Sequence, residues 1–124
     1  MAWNLDDHRP IYIQIVEEIQ LRIVTGIYKP GERIPSVREL ASEASVNPNT
    51  MQKAFAELER SGLIITQRTN GRIVTEDTDM IDKIRKELAK NHVENFFDRM
   101  KELGFTKQEI ITLIEQTFER ENDL

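Results

Sequence analysis

The chain has no cysteine among its 124 residues. Disulfides and thiolate metal sites are therefore excluded, a composition that fits a cytoplasmic protein. It also has no excess of positive charge: 17 Lys and Arg face 22 Asp and Glu, for a formal net charge of −5. No apolar run approaches the roughly 20 residues that a membrane span needs. The opening Met-Ala-Trp-Asn-Leu-Asp-Asp carries neither the basic nor the apolar region of an export signal. A glycine-rich phosphate loop is missing, as is any nucleophile placed beside a base. The two histidines, His8 and His92, are too far apart in pattern to suggest a metal site. These absences point away from an enzyme, and no cofactor or metal is expected.

The composition that remains, 39% apolar against 31% charged, is that of a soluble globular protein with one ordinary domain or a small domain and an appendage. Residues 1–76 hold nine Lys/Arg and ten Asp/Glu, for −1, and residues 77–124 hold eight and twelve, for −4. Any nucleic-acid footprint must therefore come from a few well-placed cations, with carboxylates turned to the far side. Binding of that kind is steeply salt-dependent and weak on non-specific sequence.

The spacing of Ile11, Ile15, Ile19 and Ile23, widened by Tyr12 and Val16, predicts a helix over residues 10–25, with Pro10 at its first position and Gly26 as its stop. Pro30-Gly31 forms the centre of a type II turn. Arg33-Ile34 is a short extended piece ended by Pro35. Ser36 and Glu39 form a capping box that opens a second helix burying Val37, Leu40, Ala41 and Ala44.

Residues 45–53, Ser-Val-Asn-Pro-Asn-Thr-Met-Gln-Lys, build a third helix start. Asn47 caps it, Pro48 takes the first position, and Val46 and Met51 are placed to staple across the cap. This helix runs from Pro48 to about Ser61 and stops at Gly62. So little chain separates it from the second helix that the two must turn sharply, as in a helix-turn-helix. Its first turns are apolar at Met51, Phe55 and Leu58 and carry Asn49, Gln52 and Lys53 on the opposite face. Such a helix is shaped to enter a DNA major groove.

The β-branched runs at 63–67 and 72–75, joined through Asn70-Gly71, predict a hairpin, because both turn residues tolerate positive φ. Three helices and a hairpin make a winged helix. After a polar break, Ile81, Ile84, Leu88, Phe96, Met100 and Leu103 mark a long helix from Asp79 to about Leu103, ended by Gly104. A second capping box, Thr106 with Glu109, opens a last helix expected to bury Ile110, Leu113, Ile114 and Phe118. This pair cannot close a core alone and must pack on the winged domain or on another copy. The Phe96, Phe97, Met100 and Phe118 stripe reads as core or dimer contact rather than a cofactor cage. The roughly 45 residues here are too few to enclose a ligand pocket of about 300 Å³ or more.

Pro10-Ile11-Tyr12-x-Gln14-Ile15, followed by Gly26-x-x-x-Pro30-Gly31-x-x-Ile34-Pro35-Ser36-Val37-Arg38-x-Leu40-Ala41, resembles the GntR family of bacterial winged-helix repressors. Val46-Asn47-Pro48-Asn49-Thr50, Glu57-Leu58-Glu59-x-x-Gly62 and the short C-terminal region resemble its YtrA subfamily. The resemblance covers residues 10–75 closely and the tail in length and helical character. It implies DNA contacts from Ser36 and Arg38, from Asn49, Thr50, Gln52 and Lys53, and from Asn70 and Gly71 at the wing tip. Pro48 and Gln52 stand where many members carry arginine, and Thr69 where the wing often carries glycine. The resemblance also implies control of a transporter operon, typically an ABC exporter.

Each site residue has a plainer reading beside the functional one. Arg38 can reach a phosphate or a guanine edge, or can pair with Glu39 or Glu43. Asn49 and Gln52 can each read adenine through paired hydrogen bonds. Thr50 offers a methyl to thymine or a hydroxyl to backbone, while Lys53 suits a phosphate. Arg60 belongs to a solvated face. Arg68 and Arg72 flank the tip and can sit on a minor-groove edge, with Glu76 as the alternative partner of Arg72. Trp3 is expected over helix one or a partner subunit.

The expected fold is mainly α with a small β-hairpin: a winged helix-turn-helix DNA-binding domain over 1–76 and a two-helix dimerisation appendage over 77–124. The expected function is that of a homodimeric regulator, a repressor of an inverted-repeat operator in double-stranded DNA. A winged-helix module that binds protein and not DNA is the alternative.

Overall fold

The computed structural model describes residues 3–122. Seven elements follow in order: α1 (Ile11–Val24), α2 (Val37–Ala44), α3 (Pro48–Arg60), β1 (Ile64–Gln67), β2 (Gly71–Val74), α4 (Thr78–Glu102) and α5 (Lys107–Asn122). They form two compact units, residues 1–85 and 86–124, that divide inside α4.

In the first unit Ile15, Ile19 and Ile23 of α1 are buried against Leu40 of α2 and Met51, Phe55 and Leu58 of α3. Each fully buried side chain of this size contributes about 1.5–3 kcal/mol. Pro10 precedes α1 as its cap residue rather than opening it. Gln14, the polar residue within the apolar stripe, is buried because its amide is fully used. Its Nε2 donates to the carbonyls of Asp6 (2.8 Å) and Arg9 (2.9 Å), and its Oε1 accepts from the Asp6 N–H at 2.9 Å. Buried Arg22 donates to the Tyr28 hydroxyl at 2.8 Å, lies 3.4 Å from Glu43, and stacks 4.4 Å from the Trp3 ring centre. Burial opposes its charge, yet Tyr28 and the Glu43 carboxylate raise its pKa above the ordinary value. Trp3 thus covers α1, as its sequence position suggested.

Both expected helix starts form. The Ser36 hydroxyl accepts the Glu39 N–H and the Glu39 carboxylate accepts the Ser36 N–H. Asn47 Oδ1 accepts the Asn49 N–H at 2.7 Å, with Pro48 at the first position. Ser45 closes α2 in the left-handed region, at φ 57, and turns the chain into α3.

The hairpin is antiparallel, with Ile64 opposite Val74 and Gln67 opposite Gly71. The hairpin expected through Asn70-Gly71 forms. Among the described residues of the tip only Gly71 takes positive φ, at 70, and residues 68–70 form the turn. A hydrogen bond donated by Asn70 Nδ2 to Gln67 Oε1 (3.0 Å) spans the tip. Arg33 bridges to Ile73, and the N–H of Ile34 donates to the Arg72 carbonyl at 3.0 Å, so the extended piece before α2 adds a third edge to the wing.

The start of α4 belongs to this unit. Ile81 and Ile84 pack on its core. A Cβ on Gly62, itself at φ 84, would come within 3.2 Å of Met80 Cε.

In the second unit Gly104 ends α4, and the Thr106–Glu109 capping box opens α5, with both reciprocal hydrogen bonds present. The Thr106 backbone N–H and hydroxyl hold the Glu109 carboxylate below its ordinary pKa. Ile110 is buried, but Leu113 and Ile114 are each 37% exposed and Phe118 is 60% exposed. The expectation that all four are buried therefore fails within one chain, because a two-helix unit has no third layer to cover the stripe. Phe96, Met100, Leu113, Ile114, Thr117 and Phe118 instead line an open apolar groove of about 400 Å³.

Candidate nucleic-acid interface

The α2–α3 turn and the hairpin set the candidate residues. Burial of Met51, Ala54, Phe55 and Leu58 fixes the rotation of α3, and the same rotation leaves Asn49, Gln52 and Lys53 exposed. The side-chain amides of Asn49 and Gln52 make no hydrogen bond among the described residues. Thr50 is half-buried; its hydroxyl makes no backbone bond among the described residues, although its N–H donates to the Asn47 carbonyl.

Lys53 is held from below. Its ammonium lies 3.9 Å from the centre of the Tyr12 ring on α1, a contact the sequence reading did not find. The only signal was that Tyr12 widens the α1 stripe beyond what the core needs.

At the start of α2, Ser36 and Arg38 are both exposed. The two carboxylates that could have neutralised Arg38 are engaged elsewhere: Glu39 in the capping box and Glu43 with Arg22. Among the described residues, Arg38 has no ion pair.

The wing divides its cations. Arg68, Asn70 and Gly71 are exposed at the tip, and Arg68 has no ion pair among the described residues. Arg72 turns the other way. Its Nε donates to Glu59 of α3 at 2.5 Å, and its guanidinium lies 5.2 Å from the Phe55 ring centre. Its partner is Glu59 and not Glu76, because β-strand alternation points Arg72 to the same side as Val74, over α3. Arg60 is exposed and paired with Glu57, whose carboxylate that hydrogen bond holds below its ordinary range. His8 and His92 are exposed, and no group of three possible metal ligands occurs among the described residues. No helix of the described residues is long and apolar enough to cross a membrane.

The arrangement gives one short helix start with free amides, flanked by unneutralised cations on α2 and on a hairpin tip. That combination suits hydrogen bonding to base edges from α3 and to phosphates from its flanks.

Comparison with known proteins agrees. The model of the bacterial regulatory proteins, gntR family, matches residues 11–74. The HTH-type transcriptional repressor YtrA of Bacillus subtilis is 48% identical over 68 residues, 55% of this chain and 52% of that repressor. A GntR family transcriptional regulator from Listeria monocytogenes superposes with a TM-score of 0.82 at 45% identity, covering 90% of this chain and 98% of that one. The AraR DNA-binding domain, solved in complex with operator ORX1, superposes with a TM-score of 0.52 at 30% identity, covering 60% of this chain and 92% of that one. The chain belongs to the GntR family of bacterial regulatory proteins, in its YtrA subfamily, and is a winged helix-turn-helix, DNA-binding transcriptional regulator.

Proposed function

We propose that the chain is a cytoplasmic repressor that binds an inverted-repeat operator as a homodimer. Residues 1–76 carry the DNA-binding function and residues 77–124 the dimer contact. Asn49 and Gln52 read bases in the major groove, with Thr50 beside them. Ser36, Arg38 and Lys53 anchor phosphates. Arg68, Asn70 and Gly71 carry the wing contact, while Arg72 is held away from it by its pair with Glu59. The regulated genes, on this reading, include those of an ABC transporter.

The observation that carries the reading is how the cations are distributed. Arg9, Arg22, Arg60, Arg72 and Arg85 each have a carboxylate partner, whereas Arg33, Arg38 and Arg68 of the first unit, like Arg99 and Arg120 of the second, have none among the described residues. In a chain of net charge −5, the exposed Arg38 and Arg68 beside free amides are available to an anionic partner from outside. The operator complex of the AraR domain supports DNA as that partner.

The test is to select bound fragments from the native genome and footprint them quantitatively. A preferred palindrome, with half-sites spaced by whole turns of about 34–36 Å, is the expected result. Uniform weak binding would remove the operator reading. No retention on DNA even at low salt would favour a protein-interaction module.

A further inference from the structure

Arg33 stands in the short extended piece between the Pro30-Gly31 turn and α2, at an unspecified position of the Gly26-to-Ala41 pattern. Backbone hydrogen bonds pin it on both sides. Ile34 N–H donates to the Arg72 carbonyl at 3.0 Å, and Val74 N–H donates to the Glu32 carbonyl at 2.9 Å. Arg33 is bridged to Ile73 and so occupies the outer edge of the wing. Alternation along this edge sends Ile34 into the core, where it is 3% exposed, and turns Arg33 out to solvent.

The side chain then runs toward the hairpin tip. From the position that a Cβ on Gly71 would occupy, Arg33 Nε is 3.5 Å away, and Cζ and Nη2 are each 3.9 Å away. The guanidinium therefore lies alongside Gly71, immediately next to Asn70. It has no ion pair among the described residues. Adjacent Glu32 is engaged with the Lys29 N–H at 2.6 Å. Arg72, one residue past Gly71 on the opposite face, is neutralised by Glu59. The wing thus has one arginine tied to the protein, Arg72, and two left open, Arg68 at the tip and Arg33 beside it.

We propose that Arg33 is a further DNA-binding residue, a wing cation that contacts a backbone phosphate where the tip enters the minor groove. The inference rests on the operator reading above. Arginine suits the role because its planar fork stays charged at any working pH and can donate two hydrogen bonds to one phosphate. A contact of this kind adds affinity without sequence preference.

The experiment measures binding of the full chain to a selected operator fragment by fluorescence anisotropy across a range of salt concentrations. Arg33→Ala, Arg33→Gln and Arg33→Lys are compared with wild type, and Arg60→Ala serves as a control cation already paired with Glu57. Thermal unfolding verifies that each variant folds. The expected result is a roughly fivefold loss for Arg33→Ala and Arg33→Gln on every sequence, with the slope of log K against log salt smaller by about one. Arg33→Lys keeps the slope, and Arg60→Ala changes nothing. A folded Arg33→Gln or Arg33→Ala protein with the wild-type slope overturns the proposal, as does an Arg33→Lys slope that falls like that of Arg33→Ala. Wild-type protein that fails to bind any fragment removes the operator reading itself, and the role of Arg33 with it.

Discussion

The Lys53 ammonium sits 3.9 Å from the centre of the Tyr12 ring, so a residue of α1 supports a cation of α3. Tyr12 is half-buried and Lys53 is exposed. A cation–π contact of this kind contributes about 0.5–1 kcal/mol. It also restricts a side chain that would otherwise lose rotamer freedom on meeting a phosphate. Tyr12→Phe, which keeps the ring, should hold operator affinity close to wild type. Tyr12→Leu should weaken binding by about two- to fivefold, an effect of the same size as the contact. In a Lys53→Ala background the Tyr12→Leu penalty should vanish. An equal Tyr12→Leu loss with and without Lys53 would mean that the ring acts through the core alone.

Gln52 and Lys53 are adjacent and both exposed, but their chemistry separates them. The Gln52 amide can donate and accept at once, which matches an adenine edge, whereas the Lys53 ammonium can only donate. Gln52→Ala should therefore flatten preference at one operator position by about 1–3 kcal/mol. Lys53→Ala should weaken all sequences alike and lower the salt slope by about one. Binding measured on a panel of single-base operator variants resolves the two, and matching profiles would refute this division of labour.

Arg72 and Glu59 link the wing to α3 across a pair that is 29% and 33% exposed. Solvent screening at that exposure limits the pair to at most about 1 kcal/mol. Arg72 also covers the Phe55 ring, so its removal loses packing as well as charge. Arg72→Ala should lower stability by about 1–2 kcal/mol, and Glu59→Ala by less than about 1 kcal/mol. Their effects on DNA should differ in sign. Glu59→Ala removes an anion and frees a cation, and should tighten binding at low salt. Urea unfolding and anisotropy together check this; weaker binding by Glu59→Ala would show that the pair positions the wing for DNA.

The residues that could be read correctly from sequence share one property: their partners are close in the chain. Ser36 with Glu39, Asn47 with Asn49, and Thr106 with Glu109 lie within three residues of each other, so local chemistry determines the bond. The apolar spacing of α1 and α3 likewise fixes which faces are buried. Arg72 defeated the same approach because its partner is 13 residues away, across a hairpin whose tilt over α3 no local pattern encodes. Tyr12 with Lys53 is more distant still. The tip is legible for the same local reason: Asn70-Gly71 marks the turn, and the register that pairs Gln67 with Gly71 uses the positive φ at Gly71. The α5 stripe was recognised as apolar, but its spacing is silent on what covers it.

That stripe gives the last prediction. Val93 and Phe96 of α4, Leu103 of the turn after it, and Leu113, Ile114 and Phe118 of α5 remain exposed in a single chain, between 37% and 72%. A soluble monomer rarely leaves so many large apolar side chains on one small unit, and burying them at a two-fold interface removes that cost. The doubly substituted Leu113→Glu, Phe118→Glu chain should sediment as a monomer at concentrations where wild type is a dimer. Its winged domain should keep its near-native helix content, because Ile81 and Ile84 already complete that core. Operator affinity should fall by at least tenfold, about 1.4 kcal/mol, since each half-site must then be bound without the other. Binding to a single half-site should be unaffected. A double variant that stays dimeric would place the interface elsewhere, and a wild-type chain that sediments as a monomer at every concentration would remove the homodimer from the proposal.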